Sequence, residues 1–259
     1  MMKRPDPERL GGIGWARRTR GALTRRERRR LLAAIARTQA DYLAGRLKLA
    51  TGRVPRQMPP ELEDEYLLAP PDSVFARAAE AACAEQSAVV AGHSYRTWAF
   101  GRALAALDRA DVDPELFYAA ALLHDHGIES TVTGEDFTLR SADRALACAR
   151  ETNTPPERAE LVADAIVVHA TPGAEPGRDG TGAWVQAGAM ADLVGARLWD
   201  LPRAAAVRID RAHPAAPDAA SQVIALIKRE VRAQPDGRFA LNARCGLTTA
   251  IRLAPRPAP

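Results

Sequence analysis

Cysteine, aromatic residues and long apolar runs are all scarce in this sequence of 259 residues. The three cysteines, Cys83, Cys148 and Cys245, lie far apart and form no CxxC pair. This usage disfavours a disulfide framework or a thiolate zinc site and is typical of reduced, partly buried thiols. Hydrophobic residues make up 47% of the chain but aromatics only 5%. The apolar content is mostly Ala and Leu, which favours helices over sheets.

No apolar run approaches the roughly 20 residues that a membrane-spanning helix needs. The mean hydropathy is −0.24. The N-terminus is rich in Arg, but no apolar segment follows it, so it does not resemble a secretory signal. We therefore expect a cytoplasmic protein with no membrane partner.

Positive charge is concentrated at the N-terminus. The formal net charge is +4, yet residues 1–30 carry eleven Lys or Arg against three acidic residues, so the rest of the chain is net negative. A basic segment of this kind could contact nucleic acid or an anionic surface. No aromatic or groove-reading motif accompanies the charge, which favours a solvated leader and disfavours nucleic acid as a partner.

The distribution of helix signals divides the chain into three predicted parts. Residues 1–71 form a basic, Pro-rich extension with one or two helices, in which residues 1–22 are expected to be loose and Thr24 to cap a helix with Glu27. Residues 72–201 form the main helical body, and residues 202–259 form a C-terminal helical extension packed on that body. No alternation typical of a strand is present, so the predicted fold class is all-α. The main predicted helices cover residues 86–107, 114–123, 136–151, 155–169, 183–201, 218–231 and 238–251.

Four of the five histidines lie between residues 93 and 169. The apolar segment 119–123 is followed by His124-Asp125, and Gly127 is expected to end the helix there. A charged Asp directly after a continuous apolar run is costly to bury unless it is paired or metal-bound. His93, His169 and Asp192 each stand on a different predicted helix among apolar residues. Imidazole and carboxylate together suit a divalent transition metal such as Zn, Fe, Mn or Co.

The ordered set His93, His124-Asp125 and Asp192 resembles the H…HD…D signature of the HD superfamily of metal-dependent hydrolases. The flanking segments 93–96, 100–101 and 121–125, with residues 192–195, are similar to the cyanamide hydratase-like branch of that superfamily. The resemblance covers about residues 73–201. It implies an HD-domain helical bundle for the body of the chain, and one divalent metal ion ligated by His93, His124, Asp125 and Asp192. It also implies metal-activated water acting on a small polar substrate, such as a nitrile.

Several of these residues have more than one interpretation. His93 could be an ordinary buried histidine, and Asp192 could cap a helix or pair with Arg197. His169 could bind a second metal, act as a general base, contact substrate or merely favour a helix end. Arg96 could hold a substrate group, support Asp125 in an outer shell or form an ordinary buried ion pair. We take Asp125, His169 and Arg96 as the predicted catalytic residues.

The surrounding residues are assigned less active roles. His126 is expected to orient its loop and His213 to be exposed. Asp143 is expected to be a surface charge, and the aromatic side chains Trp98, Phe100 and Trp199 are expected to belong to the core.

Four functions compete on this pattern. A mononuclear hydrolase or hydratase acting on a small molecule is the first, and a phosphohydrolase acting on a nucleotide or another phosphate ester is the second. The phosphohydrolase would need cationic clamps, and only four arginines stand near the motifs: Arg96, Arg140, Arg144 and Arg197. A dinuclear iron oxygenase would need two further histidines, which only His126 and His169 could supply. A degenerate HD module without activity would not need the complete ligand set. Homo-oligomerisation is left open.

Overall fold

The computed structural model describes residues 6–53, 55, 57–63 and 67–254. Within these ranges the chain forms fourteen α-helices and one 3-10 turn, His126–Glu129, and no β-strand, which confirms the all-α prediction. In chain order the helices are α1 (Ile13–Thr19), α2 (Arg25–Ala50), α3 (Pro60–Glu63), α4 (Val74–Cys83), α5 (Ala88–Leu107), α6 (Pro114–Leu123), α7 (Phe137–Glu151), α8 (Pro156–His169), α9 (Pro176–Asp179), α10 (Thr181–Val194), α11 (Arg203–Ala212), α12 (Ala219–Ala233), α13 (Arg238–Arg244) and α14 (Leu247–Arg252). No helix among the described residues is both long and apolar enough to cross a membrane.

Side-chain caps set the start of most long helices. Thr24 and Glu27 form the predicted reciprocal capping box at the start of α2. Ser73 caps α4 and Asp136 caps α7 by accepting hydrogen bonds from backbone N–H groups of the first turn. Such a cap satisfies donors that the helix itself leaves unpaired, so the starts of these three helices follow from their caps.

Two predicted helix ends were wrong. The helix expected over residues 183–201 ends at Val194, because Gly195 adopts φ 72° and turns the chain. The helix expected over residues 238–251 is split into α13 and α14 at Gly246, which adopts φ 104°. Positive φ is readily adopted by Gly and ends a helix. In both places apolar residues continue past the break, which is why the pattern extended each helix too far.

The core is built on α5 and α6. Every residue from Leu116 to Leu123 is buried, as expected for a helix that is apolar on all sides. Trp98 and Phe100 of α5 belong to the same core, as predicted. Helix α5 packs on α6 and α10, and α8 packs on α6, α7 and α10. The helices that carry the chemistry-bearing residues are therefore neighbours in space.

A glycine allows α5 and α10 to approach closely. A Cβ atom at Gly188 of α10 would lie 2.0 Å from the backbone oxygen of Thr97 in α5. Real Cβ atoms do not approach an oxygen this closely, so a larger residue would force the two helices apart. This close approach brings Asp192, one turn further along α10, to His93.

Residues 6–22, the described part of the N-terminal segment, are packed and not loose, contrary to the expectation for residues 1–22. Residues 13–19 form α1, with Trp15 buried. The Arg9 guanidinium pairs with Asp164 of α8 at 2.8 Å and with Asp179 of α9 at 2.7 Å. The fully buried Arg238 of α13 donates to the Gly11 carbonyl at 3.1 Å and to Asp136 at 3.2 Å. The Gly and Arg content of this segment suggested disorder, but Arg9 is the partner of two buried acids. Lys3, Arg4 and the Pro-rich tail, residues 255–259, lie outside the described residues.

The three-part division of the chain stays a prediction. The described N-terminal part holds three helices, α1 to α3, where one or two were expected. The C-terminal helices do contact the body, since α12 packs against α5 and α14 packs against α10.

Candidate metal centre

Three imidazoles converge on one carboxylate. His93 lies in α5, His124 caps the C-terminus of α6, Asp125 follows it directly, and His169 is the last residue of α8. The Nε2 atoms of His93 and His124 lie 3.6 Å and 3.5 Å from Asp125 Oδ2. The Nε2 atom of His169 lies 3.5 Å from the other oxygen, Oδ1.

The turn after Asp125 is held against α7 at Gly127. The Gly127 N–H donates to Ser141 Oγ of α7 at 2.8 Å. A Cβ at Gly127 would lie 2.3 Å from the Phe137 carbonyl oxygen, so only Gly lets the chain turn so close to α7. The anchored turn fixes where Asp125 points.

The far nitrogen of each imidazole faces an acceptor. His93 Nδ1 lies 2.6 Å from Asp192 Oδ2, and His124 Nδ1 lies 2.8 Å from the Ala121 carbonyl oxygen. His169 Nδ1 contacts the Ile166 carbonyl oxygen. A carbonyl can only accept, so the Nδ1 atoms of His124 and His169 are donors, and the Asp192 carboxylate favours the same tautomer for His93. In the neutral tautomers that these bonds select, all three Nε2 atoms present lone pairs to the centre.

The centre then contains acceptors and no donor. His93 Nε2 and His124 Nε2 are 3.3 Å apart, and both face the Asp125 carboxylate. Lone pairs at this separation repel one another unless a cation or an added proton lies between them. The ligand atoms of His93, His124 and Asp125 lie within 4.8 Å of one another, a spacing that could hold a metal ion.

The pKa values agree with ligands that are free of protons. Burial lowers the pKa of His124 to about 3, and the neighbouring imidazoles add to this against the opposing effect of Asp125. Burial alone would raise the pKa of Asp125, but His124, His169 and His93 outweigh it and hold that pKa well below its usual range. Near neutral pH both groups are therefore in the form that binds a cation.

Asp192 lies outside the three-residue group, which differs from the expected four-ligand set. Its Oδ2 faces His93 Nδ1, and its Oδ1 accepts from Arg96 Nε at 2.5 Å. Burial raises its pKa, but His93 and Arg96 more than offset this, so the carboxylate stays charged. The structure thus places Asp192 behind His93, on the side away from Asp125. Carboxylates in this position commonly orient metal-binding histidines.

Arg96 pairs with Asp192 and not with Asp125. Besides its bond to Oδ1, its Nη2 donates to Asp192 Oδ2 at 3.2 Å, and its Nη1 donates to the His213 carbonyl oxygen at 3.3 Å. The alternative pair of Asp192 with Arg197 does not form, because Arg197 binds Asp108 and Asp200. Among the interpretations of Arg96, the contacts show the buried ion pair, with Asp192 as its partner.

The other predicted residues lie around this group. His126 Nε2 lies 3.1 Å from Glu85 Oε2, a hydrogen bond that holds the turn of His126 in place. Asp143 is exposed, as expected. His213 is not exposed as expected; it is half-buried because its ring stacks on Tyr95 at a centroid distance of 5.2 Å.

An apolar wall beside His169 was not predicted from the sequence. The Phe137 ring meets the His169 ring edge-on with centroids 6.0 Å apart, and Phe239 packs on Phe137 at 5.1 Å. The same apolar group contains Val90, Ile128 and Ala170, and Leu226 of α12 packs against it. Each of the first three lies within three residues along the chain of His93, Asp125 or His169. Phe239 and Leu226 come from the C-terminal extension, and nothing in their local sequence links them to the histidines.

Comparison of the sequence with protein-family models and with curated proteins gave no match in either case. The interpretation of the site therefore depends on its own geometry.

Proposed function

We propose that this chain is a metal-dependent hydrolase or hydratase of the HD superfamily, with a divalent cation bound by His93, His124 and Asp125. One observation carries the proposal. Three imidazole Nε2 atoms face a carboxylate that cannot donate, and each Nδ1 atom is already turned to an acceptor. Neutral imidazole and carboxylate are the ligand chemistry of Zn, Fe, Mn and Co.

The bound cation would lower the pKa of a coordinated water and supply hydroxide near neutral pH. The residues of the chain prepare the site for that chemistry. Asp192 fixes the tautomer of His93, and Arg96 fixes Asp192. His169 faces the oxygen of Asp125 that His93 and His124 do not share, so its Nε2 is placed to take a proton from water or substrate as a general base. The apolar wall of Phe137 and Phe239 limits water around that proton transfer.

The contacts favour a small substrate of low charge over a phosphate ester. A transferred phosphoryl group needs free cationic clamps. The four arginines near the motifs are all engaged: Arg96 with Asp192, Arg140 with Glu135 and Glu230, Arg144 with Glu85, and Arg197 with Asp108 and Asp200. A small polar molecule, such as the nitrile that the sequence resemblance implies, fits this environment better than a nucleotide.

The test is turnover by the metal-loaded chain. The purified protein is reconstituted separately with Zn²⁺, Fe²⁺, Mn²⁺ and Co²⁺ and assayed against a panel of nitriles and of phosphate esters. Turnover of a nitrile, lost in Asp125→Ala and kept in the surface control Asp143→Ala, is the expected result. Turnover of phosphate esters alone would favour the phosphohydrolase. Full activity of Asp125→Ala, or of the metal-free protein, would overturn the proposal.

A further inference from the structure

A cavity that is partly open to solvent lies apart from the histidine cluster. Its volume is about 350 Å³, and it is lined by α2, α10, the loop of residues 172–174 and the α13–α14 region. None of its lining residues is His93, His124, Asp125 or His169. Gln186 stands between the two sites, since it lines the cavity while its Nε2 donates to the His169 carbonyl oxygen at 2.6 Å.

Two aromatic side chains, Trp199 and Tyr42, keep the walls of the cavity apart. Trp199 packs against α2 at Gly45, where a Cβ would lie 2.2 Å from the indole ring. The Tyr42 ring meets the Trp199 ring edge-on, and the Tyr42 hydroxyl donates to the Val194 carbonyl oxygen at 2.7 Å. These contacts fix the separation of α2 from α10, so that the small side chains between them, such as Ala183 and Ala187, leave space unfilled.

The wall is mainly apolar, and most of its polar groups are occupied. Thr38 Oγ1 donates to the Ala34 carbonyl, and Gln39 Nε2 donates to the Cys245 carbonyl. Among the described residues, the side chains of Asp41 and Asn242 have no hydrogen bond or ion pair. Asp41 is exposed to solvent, whereas Asn242 is partly buried, so its amide oxygen is the acceptor that the cavity itself offers.

We propose that this cavity binds a small, mostly apolar molecule that carries a hydrogen-bond donor. The volume lies at the lower end of the roughly 300–1,000 Å³ typical of ligand pockets. The apolar body would contact Met190, Leu247 and Trp199, and the donor would bond to the Asn242 amide oxygen. This site is independent of the proposed metal chemistry and needs no metal ion.

The test uses N-phenyl-1-naphthylamine, an uncharged fluorescent probe with one N–H donor. Its emission rises in apolar surroundings, so an increase in emission reports binding. We expect saturable binding of one probe per chain. Ala187→Phe, which fills the cavity, should weaken binding at least tenfold, while the matched change Ala225→Phe at an exposed position of α12 should leave it unchanged.

A second comparison keeps the test decisive if Ala187→Phe does not fold. The analogue 1-benzylnaphthalene, in which CH2 replaces the N–H group, has no donor and should bind the wild type roughly five- to tenfold more weakly, as expected for one lost hydrogen bond. Asn242→Leu should reduce this difference between the two probes. Binding that does not saturate, equal affinity of Ala187→Phe and Ala225→Phe, or equal affinity of the two probes for the wild type would each overturn the proposal.

Discussion

At the scale of single residues, two buried aspartates have different surroundings. Asp125 faces imidazole Nε2 atoms that have no proton to give, whereas Asp192 faces the donors of His93 and Arg96. Asp192 is thus satisfied by the chain alone, whereas Asp125 is placed to take a cation. In the proposed function the same side-chain type therefore has a ligand role at one position and an orienting role at the other.

Asp192→Asn tests this division of roles. The amide keeps the size of the side chain but cannot hold His93 and Arg96 through two charged oxygens. We expect one metal ion still to bind, with affinity lowered about 10- to 100-fold, the usual cost of losing an outer-shell partner. Metal titration of the variant checks this, with Asp200→Asn, which alters an acid paired with Arg197, as the control. Complete loss of the metal from Asp192→Asn would instead show direct ligation by Asp192.

At the scale of elements, the approach of α5 to α10 positions His93 and its partner. Gly188→Ala would place a methyl group against the Thr97 carbonyl oxygen and push the helices apart. We expect a loss of about 1–3 kcal/mol of unfolding free energy, typical of overpacking, together with weaker metal binding. Gly177→Ala is the control, because a Cβ there meets nothing within 4 Å. Urea unfolding of both variants measures the difference, and equal stability of the two would contradict the close-packing argument.

The sequence predicted helix bounds best where a capping residue and the apolar periodicity indicate the same helix. Helices α5, α6, α7 and α8 lie close to their predicted bounds because Ser87, Asp113 and Asp136 cap the first three of them and Pro156 opens the fourth. The α1 helix was missed because its stabilising partners, such as the Glu27 carboxylate that accepts from Trp15 Nε1, lie elsewhere in the chain. The resemblance to the HD signature implied a group of His93, His124, Asp125 and Asp192, and the structure brings the first three of them together. The direction in which Asp192 points depends on helix packing, which the spacing of residues along the chain does not contain.

At the scale of the whole molecule, the N-terminal segment is tied to the helices that carry the site. Arg9 bridges Asp164 and Asp179, and both carboxylates are largely buried. Arg9→Ala would remove the ion-pair partner of the buried Asp164 and leave Asp179 with Arg178 alone, so we expect a loss of about 3 kcal/mol of unfolding free energy. Arg17→Ala removes an exposed pair with Glu160 and should cost about 1 kcal/mol or less. Thermal or urea unfolding of the two variants checks the prediction, which fails if both lose the same amount.

Glu230 makes the stability of the molecule depend on pH. Burial raises the pKa of this carboxyl to about 7, with Asp136 adding to the shift and Arg140 opposing it. The folded protein therefore holds a proton that the unfolded chain releases above its ordinary pKa of 4.5. The stabilisation is fully present below that value and is lost as the pH rises to about 7.

Glu230→Gln should remove this dependence. The amide oxygen can still accept from the Phe137 N–H, as Glu230 does at 3.0 Å. Relative to the variant, the wild type should lose up to about 3 kcal/mol of unfolding free energy between pH 4.5 and 7. Urea unfolding of both proteins across this range measures the change. A constant difference between them at every pH would show that Glu230 does not titrate there.

The affinity of the purified, chelator-treated chain for Zn²⁺, measured by calorimetric titration, tests the central claim most directly. We predict one ion per chain, with binding abolished in His124→Ala and retained in His126→Ala, because the neighbouring His126 turns to Glu85 and not to Asp125. Absence of binding in the wild type, or equal binding by the two variants, would contradict the assignment of this cluster as a metal centre.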